Sequence, residues 1–300
     1  MRELFLFSSP LTSSHQIATI IYMRLLFEKK RSGEKIVALT AYDTPTARIL
    51  DEAGIDLVLV GDSVGMVLLG YPSTRFVTME EMLHHIRAVR RGVKRAVVIG
   101  DLPYHSYRTP KEALSNARRF LEAGCDGVKV EGGEAIALVI RHLRRHRIPV
   151  QGHLGLLPQS VKPGDPFRLK ARTAEAARRL LEEAGLLEAL GVFSLVLECV
   201  PQEVAAAVTR ALRIPTIGIG SGSECDGQIL VINDLLGLTP QFSPRFVKQY
   251  ADLSKAIRIA VGRYGRDVRS GRFPTQKQAF RMEPEERRRF QALSRTPFSA

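Results

Sequence analysis

Eight short apolar runs, rich in β-branched residues, recur along the chain and alternate with longer stretches of helical spacing. Runs of this kind belong to strands buried on both faces, that is, to a parallel sheet covered by helices. The strands are predicted at Ile36–Thr40, Leu57–Val60, Ala96–Ile99, Gly127–Val130, Pro149–Gly152, Ser194–Leu197, Pro215–Ile219 and Ile229–Ile232. The helices are predicted at Thr44–Ala53, Thr78–Arg91, Pro110–Ala123, Ala135–Arg145, Thr173–Ala189 and Gln202–Leu212, with closing helices over Pro244–Tyr264. Thr78 followed three residues later by Glu81 reads as a capping box. Eight such units in 300 residues favour a closed (β/α)8 (TIM) barrel over an open doubly wound sheet. No linker divides the chain, so one catalytic domain is expected over 23–274, with an N-terminal extension over 1–22 and a charged tail over 275–300. Residues 1–22 lack the continuous apolar segment and small-residue cleavage site of a signal peptide, and their status stays open.

Composition narrows the function class. Hydrophobic residues make up 45% and charged residues 25%, values of a folded globular chain rather than a disordered one. No apolar run reaches the 18 or so residues of a membrane-spanning helix. The formal charge of +13 (44 Lys and Arg against 31 Asp and Glu) raises nucleic-acid binding as an alternative. The basic residues are dispersed, however, over Arg90, Arg91, Lys94 and Arg95, over Arg141, Arg144, Arg145 and Arg147, and over Arg287, Arg288 and Arg289. No zinc-finger spacing or aromatic-basic motif accompanies them, so solvated helix faces are the better reading and no nucleic-acid partner is expected. Three cysteines, Cys125, Cys199 and Cys225, without a C-x-x-C pair, read as free thiols of a reducing compartment.

The residues that close each apolar run carry the chemistry. The runs end in Tyr42-Asp43, Asp62-Ser63, Asp101, Glu131 (with Lys129 inside the run), His153, Glu198-Cys199 and the Gly218–Gly222 segment. In a barrel all these ends meet on the one face that carries active sites. Asp62, Asp101 and Glu131 form an oxygen-only set on three successive strands, suited to a hard cation such as Mg2+. The bland alternative is helix caps and salt bridges. Lys129, two residues from Glu131, points the same way and would hold an anionic substrate. Burial of Glu198 would make it a base, its plainer reading being a salt-bridged carboxylate, and His153 would face a substrate oxygen or, more plainly, serve as a structural histidine. Cys199 should face away from Glu198 and is a weak nucleophile candidate. The glycines of 218–222 allow close approach to a ligand or merely close a tight turn.

Several segments, in order, carry a resemblance. They are Thr40-Ala41-Tyr42-Asp43, Val60-Gly61-Asp62-Ser63-Val64-Gly65-Met66, Val128-Lys129-Val130-Glu131-Gly132-Gly133, the stretch from Gly152 to Val161 (GHLGLLPQSV), Leu197-Glu198-Cys199-Val200-Pro201, and Gly218-Ile219-Gly220 with Asp226-Gly227-Gln228. Over roughly 30–280 the chain resembles the ketopantoate hydroxymethyltransferase family. The resemblance implies a barrel of the phosphoenolpyruvate mutase/isocitrate lyase type. It implies transfer of a hydroxymethyl group from 5,10-methylenetetrahydrofolate to the 2-oxo acid 3-methyl-2-oxobutanoate, the first committed step of pantothenate and coenzyme A biosynthesis. It further implies Mg2+ held by Asp62 and Asp101 with Glu131 completing the metal environment. Asp62, Ser63, Asp101 and Lys129 would bind the 2-oxo acid, His153 would line its pocket, and Glu198 would take the proton as an enolate forms beside the metal. A cytoplasmic homo-oligomer, commonly a decamer, is implied as well. The segment Lys162–Arg172 and the pair Arg75-Phe76 depart from the family's usual pattern. Carbon–carbon lyases on the same barrel, the nearest alternative, often carry a cysteine in a Lys-Lys-Cys-Gly-like loop, and none of the three cysteines here has that setting.

Overall fold

The apolar runs become β1 (Ile36–Thr40), β2 (Leu57–Val60), β3 (Val97–Asp101), β4 (Gly127–Glu131), β5 (Val150–Gly155), β6 (Ser194–Glu198), β7 (Thr216–Ile219) and β8 (Gly227–Leu230). These pair in sequence order, all parallel, and β8 closes onto β1 through Ile36 with Gly227 and Ala38 with Ile229. The result is the closed (β/α)8 barrel. The coordinates are a computed structural model that describes residues 14–239 and 244–293, with only the backbone of 14–20. The chain divides into two units, Met1–Ala251 and Asp252–Ala300.

Period-two alternation sorts each strand. Outward residues such as Val58, Val98, Val128, Val150 and Leu195 pack beneath the helices, while Leu57, Val97, Val196 and Ile229 fill the barrel interior. The helices are α1 (Ser14–Ser32), α2 (Thr44–Glu52), α3 (Val64–Val67), α4 (Met79–Gly92), α5 (Pro110–Glu122), α6 (Ala137–Arg145), α7 (Ala174–Leu190), α8 (Gln202–Ala211) and α9 (Ile232–Leu235). The capping box at α4 forms as expected, with Thr78 Oγ1 accepting from the Glu81 N–H and Glu81 Oε2 accepting from the Thr78 N–H.

Several boundaries differ from expectation, β3 running on to Asp101 and β5 to Gly155, and two of the differences have a physical cause. The last strand starts two residues early because Gly227 carries it past β1, where a Cβ would lie 2.5 Å from the Ile36 carbonyl. The sequence pattern starts the strand only at Ile229, yet Gly227 is what lets the barrel close. The closing helix is α10 (Leu253–Arg269), capped by Asp252, and it opens the second unit; residues 244–252 are not helical. That unit also holds α11 (Pro284–Leu293), with ion pairs from Arg289 to Glu285 and Glu286.

Residues 1–13 of the expected extension lie outside the described residues, and α1 runs unbroken across Tyr22 and Met23. Met23 and Leu26 join the interior cluster of the barrel. Lys30 pairs with Asp226 just before β8, and Lys29 with Asp56 just before β2. These anchors place α1 against the N-terminal ends of the strands, opposite the face that carries the chemistry.

Candidate active site

The inward parity that places apolar side chains low in the barrel places polar ones at its C-terminal mouth. Along β3 the inward residues run Val97, Ile99, Asp101; along β4, Gly127, Lys129, Glu131; along β5, Gln151, His153; along β6, Ser194, Val196, Glu198. Register aligns Asp101 with Lys129 and Glu131 with His153. Asp62 follows β2 on the segment leading into α3. Gly61 is needed there, since a Cβ would lie 2.8 Å from Ser63 Oγ and 3.4 Å from Asp101 Oδ2.

All six expected polar groups other than Ser63 meet in one connected set. Lys129 Nζ pairs with Asp101 Oδ1 and lies 3.7 Å from Glu131 Oε1. Asp101 Oδ2 accepts the Asp62 N–H at 3.2 Å. His153 stands between two carboxylates, with Nδ1 3.3 Å from Glu131 Oε1 and Nε2 3.2 Å from Glu198 Oε2. Neither contact is aligned as a hydrogen bond, so charge pairing rather than directional bonding holds the ring. Ser63 is tied instead to Tyr42, whose hydroxyl lies 2.8 Å from Ser63 Oγ. Asp62, Asp101, Lys129, Glu131 and His153 are buried, while Glu198 sits at the rim with 15% of its side chain exposed.

The electrostatics are uneven. Burial, then the charges of Asp101 and Glu131, push the Asp62 carboxyl well above the usual carboxylate range. Burial also opposes the charged Lys129 and Glu131, but their mutual neighbourhood outweighs it. Asp101, Glu131 and Asp62 hold the ammonium up, and His153, Lys129 and the Gln159 N–H hold Glu131 low. Burial and Lys129 oppose the His153 imidazolium, yet Glu131 and Glu198 raise it to about 9. A folded value above the unfolded 6.5 stabilises fully below pH 6.5, and that stability is lost as pH rises through about 9. The shift is worth about 3 kcal/mol in the metal-free protein. Thermal melts of His153→Gln should therefore show a flatter fall of Tm between those two pH values than the wild type shows.

Among the described residues, no group of three or more His, Cys, Asp or Glu side chains is spaced as a ready cation cage. The donor set still fits a hard divalent ion. Such ions are commonly held by one or two carboxylates plus water and substrate oxygens, which Asp62 and Asp101 supply. A cation beside them would relieve the repulsion that makes the Asp62 charge costly. Glu131 is engaged by Lys129, His153 and the Gln159 N–H, an outer position in this arrangement.

Other sequence candidates resolve more simply. Asp43 is the exposed N-cap of α2, accepting from the Thr46 N–H at 2.8 Å. The Gly218–Gly222 segment is a tight packing turn, where a Cβ at Gly222 would meet Gln202 at 2.4 Å. The Cys199 thiol is pushed up to about 12 by burial and the Glu198 charge, which disfavours a thiolate. All three cysteines are free.

The site also contains residues with no role assigned from the sequence. Gln159, on the 3-10 turn Pro158–Ser160, donates through Nε2 to Asp62 Oδ2 at 2.8 Å and to the Leu102 carbonyl at 2.9 Å. Its Oε1 accepts from Tyr107 at 2.5 Å, and its N–H donates to Glu131 Oε2 at 3.1 Å. Burial, then the Glu131 charge, raise the Tyr107 phenol, which keeps its proton for that donation. Beside this turn, a cavity of about 220 Å³ opens between Met66, Ser73 and Thr74 on one side and Pro158, Val161 and Phe167 on the other. The Lys162–Arg172 segment borders it and returns to the barrel where the Lys170 N–H donates to the Cys199 carbonyl at 2.9 Å.

Among solved structures, a phosphoenolpyruvate phosphomutase from Streptomyces platensis matches with a TM-score of 0.57 at 13% identity, covering 92% of this chain and 96% of that one. A 2,3-dimethylmalate lyase of the PEP mutase/isocitrate lyase superfamily gives 0.55 at 14%, covering 91% and 95%. Phosphonopyruvate hydrolase in complex with oxalate and Mg2+ gives 0.55 at 13%, covering 91% and 96%. At these identities the likeness establishes the barrel type. Sequence relatives are nearer. The 3-methyl-2-oxobutanoate hydroxymethyltransferase of Syntrophus aciditrophicus is 53% identical over 253 residues, 84% of this chain and 93% of the relative. The enzyme of the same name from Ignicoccus hospitalis is 51% identical over 255 residues, 85% and 97%. The profile of one family, described as ketopantoate hydroxymethyltransferase, matches residues 21–276, a span that includes every strand of the barrel and every polar group at its mouth, and the chain belongs to that family of hydroxymethyltransferases.

Proposed function

We propose that this chain transfers a hydroxymethyl group from 5,10-methylenetetrahydrofolate to 3-methyl-2-oxobutanoate, consuming water and giving 2-dehydropantoate and tetrahydrofolate. The observation that carries the reading is the convergence of Asp62, Asp101, Lys129, Glu131, His153 and Glu198 at the barrel mouth. Asp62 and Asp101 would hold Mg2+, with Glu131 completing its surroundings. Bound there, Mg2+ supplies Lewis acidity toward the 2-oxo acid and so acidifies its C3 proton. A protein of this fold carries both oxalate and Mg2+. Lys129, a buried cation among carboxylates, would bind the negatively charged end of the 2-oxo acid together with Ser63 and Asp101. Glu198 is the only carboxylate of the set that reaches the rim, and it would take the C3 proton there. His153 would line the pocket and hold the Glu198 carboxylate in place. The substrate's C3 then bonds to the one-carbon unit of the folate, for which the cavity beside Pro158 offers room. The same reading carries a cytoplasmic homo-oligomer, a decamer by family likeness, acting on small molecules without nucleic-acid partners.

Proton NMR of 3-methyl-2-oxobutanoate in deuterated buffer tests the first half of the chemistry. The C3 proton should exchange in the presence of protein and Mg2+ without any folate, and stop exchanging on addition of EDTA. Exchange that ignores EDTA would remove the metal from the reading.

A further inference from the structure

One residue, through its side chain and its main-chain N–H, joins carboxylates that belong to two different strand ends. Gln159 and Asp62 lie 97 residues apart in the chain, and their side chains meet in the buried centre of the site. The Leu102 carbonyl can only accept, so it fixes which end of the Gln159 carboxamide faces it and Asp62. The Tyr107 hydroxyl receives the Glu131 N–H at 3.4 Å, and its own proton is thereby directed to Gln159 Oε1. Both N–H donors of the carboxamide and its oxygen are thus engaged, in one orientation. Asp62 Oδ2 is taken by that carboxamide, and among the described residues Oδ1 has no protein hydrogen-bond donor. Through its main-chain N–H the same residue holds Glu131 Oε2.

We propose that Gln159, oriented by Tyr107, is a positioning residue for the cation and 2-oxo acid site: it fixes the Asp62 carboxylate with one oxygen free and steadies Glu131 through its backbone. Tyr107 acts on the Asp62 carboxylate only through Gln159. The inference rests on the assignment of Asp62 as a metal ligand given above. Removing an outer partner of a metal-binding carboxylate commonly weakens the metal about 10–100-fold.

Electron paramagnetic resonance of free Mn2+, titrated into purified wild-type, Gln159→Leu, Tyr107→Phe and doubly substituted protein, reads the effect without turnover. Gln159→Leu should weaken Mn2+ binding by about 10–100-fold and raise KM for 3-methyl-2-oxobutanoate, with kcat at saturating metal changed far less. Tyr107→Phe keeps the carboxamide and its Leu102 contact but removes the donor to Oε1, so it should weaken Mn2+ by a smaller factor. The double variant should match Gln159→Leu alone, because the two residues act in series. A merely structural role would lower the melting temperature and leave the Mn2+ affinity and KM of the folded variants unchanged, which would overturn the proposal. A Tyr107→Phe effect of equal size with and without Gln159 would overturn the serial arrangement, and Tyr107→Phe also serves if Gln159→Leu does not fold. If wild-type protein binds no Mn2+, the metal reading itself fails, a result distinct from intact wild-type binding with unaffected variants.

Discussion

Replacing Glu198 by Gln is expected to slow exchange of the C3 proton of 3-methyl-2-oxobutanoate by about 10²–10⁴-fold, the range for loss of a general base. The substitution is nearly isosteric, and the carboxylate sits at the rim with part of its surface in water, so the barrel should fold as before. The backbone here is held independently of the side chain. The Glu198 carbonyl accepts the Leu156 N–H at 2.8 Å, and Gly155, at φ +94°, makes room for it where a Cβ would lie 2.2 Å from that oxygen. Binding of the 2-oxo acid should persist because Lys129 and Asp101 are untouched. Exchange at the wild-type rate in a folded Glu198→Gln protein would remove Glu198 as the base and turn attention to His153, its neighbour at 3.2 Å.

The second large effect is on stability. Lys129 is the buried cation that Asp62, Asp101 and Glu131 share. Lys129→Met keeps most of the side-chain volume and leaves those carboxylates without their ammonium. Breaking a buried pair in this one-sided way costs about 3–5 kcal/mol. The sign of the pH dependence follows from the same groups. Asp62, already raised, and Glu131, now held low in part by Lys129, would both move up in the variant. A carboxyl with a raised folded value is stabilising at low pH and loses that contribution as pH rises. The deficit of Lys129→Met in metal-free chemical denaturation should therefore grow from pH 5 to pH 8, and millimolar Mg2+ should recover part of it. A deficit independent of pH would mean that the lost interaction is packing rather than charge.

Much of this site is readable in the sequence because polar residues are conspicuous inside strands that are otherwise apolar. Asp101, Lys129, Glu131 and His153 each interrupt such a run at the inward parity, so strand periodicity alone sends them to one place. The bounds of β2 are legible because it is an unbroken apolar run, buried throughout, and those of β1 match the sequence expectation although Val37 is exposed. Gln159 and Tyr107 carry no such signal. They lie on connections, where polar residues are ordinary, and their importance comes from contacts across the barrel, such as Gln159 with Asp62. Gln159 stands inside the Leu157-Pro158-Gln159-Ser160 segment that supports the family resemblance, but nothing local indicates its partners. The start of β8 is hidden because Gly227, the glycine required by close packing against Ile36, and Gln228 lie outside the apolar run that begins at Ile229. The closing helix was placed early because residues 244–252 share its apolar character without its hydrogen bonds.

The most direct test of the central claim is a coupled assay of the full-length protein with Mg2+, 3-methyl-2-oxobutanoate and 5,10-methylenetetrahydrofolate, following 2-dehydropantoate. Product that requires the folate donor and disappears with EDTA is the expected result. Metal-dependent C3 exchange in a folded sample that yields no 2-dehydropantoate would contradict the hydroxymethyl transfer and leave a 2-oxo acid enzyme with a different second substrate.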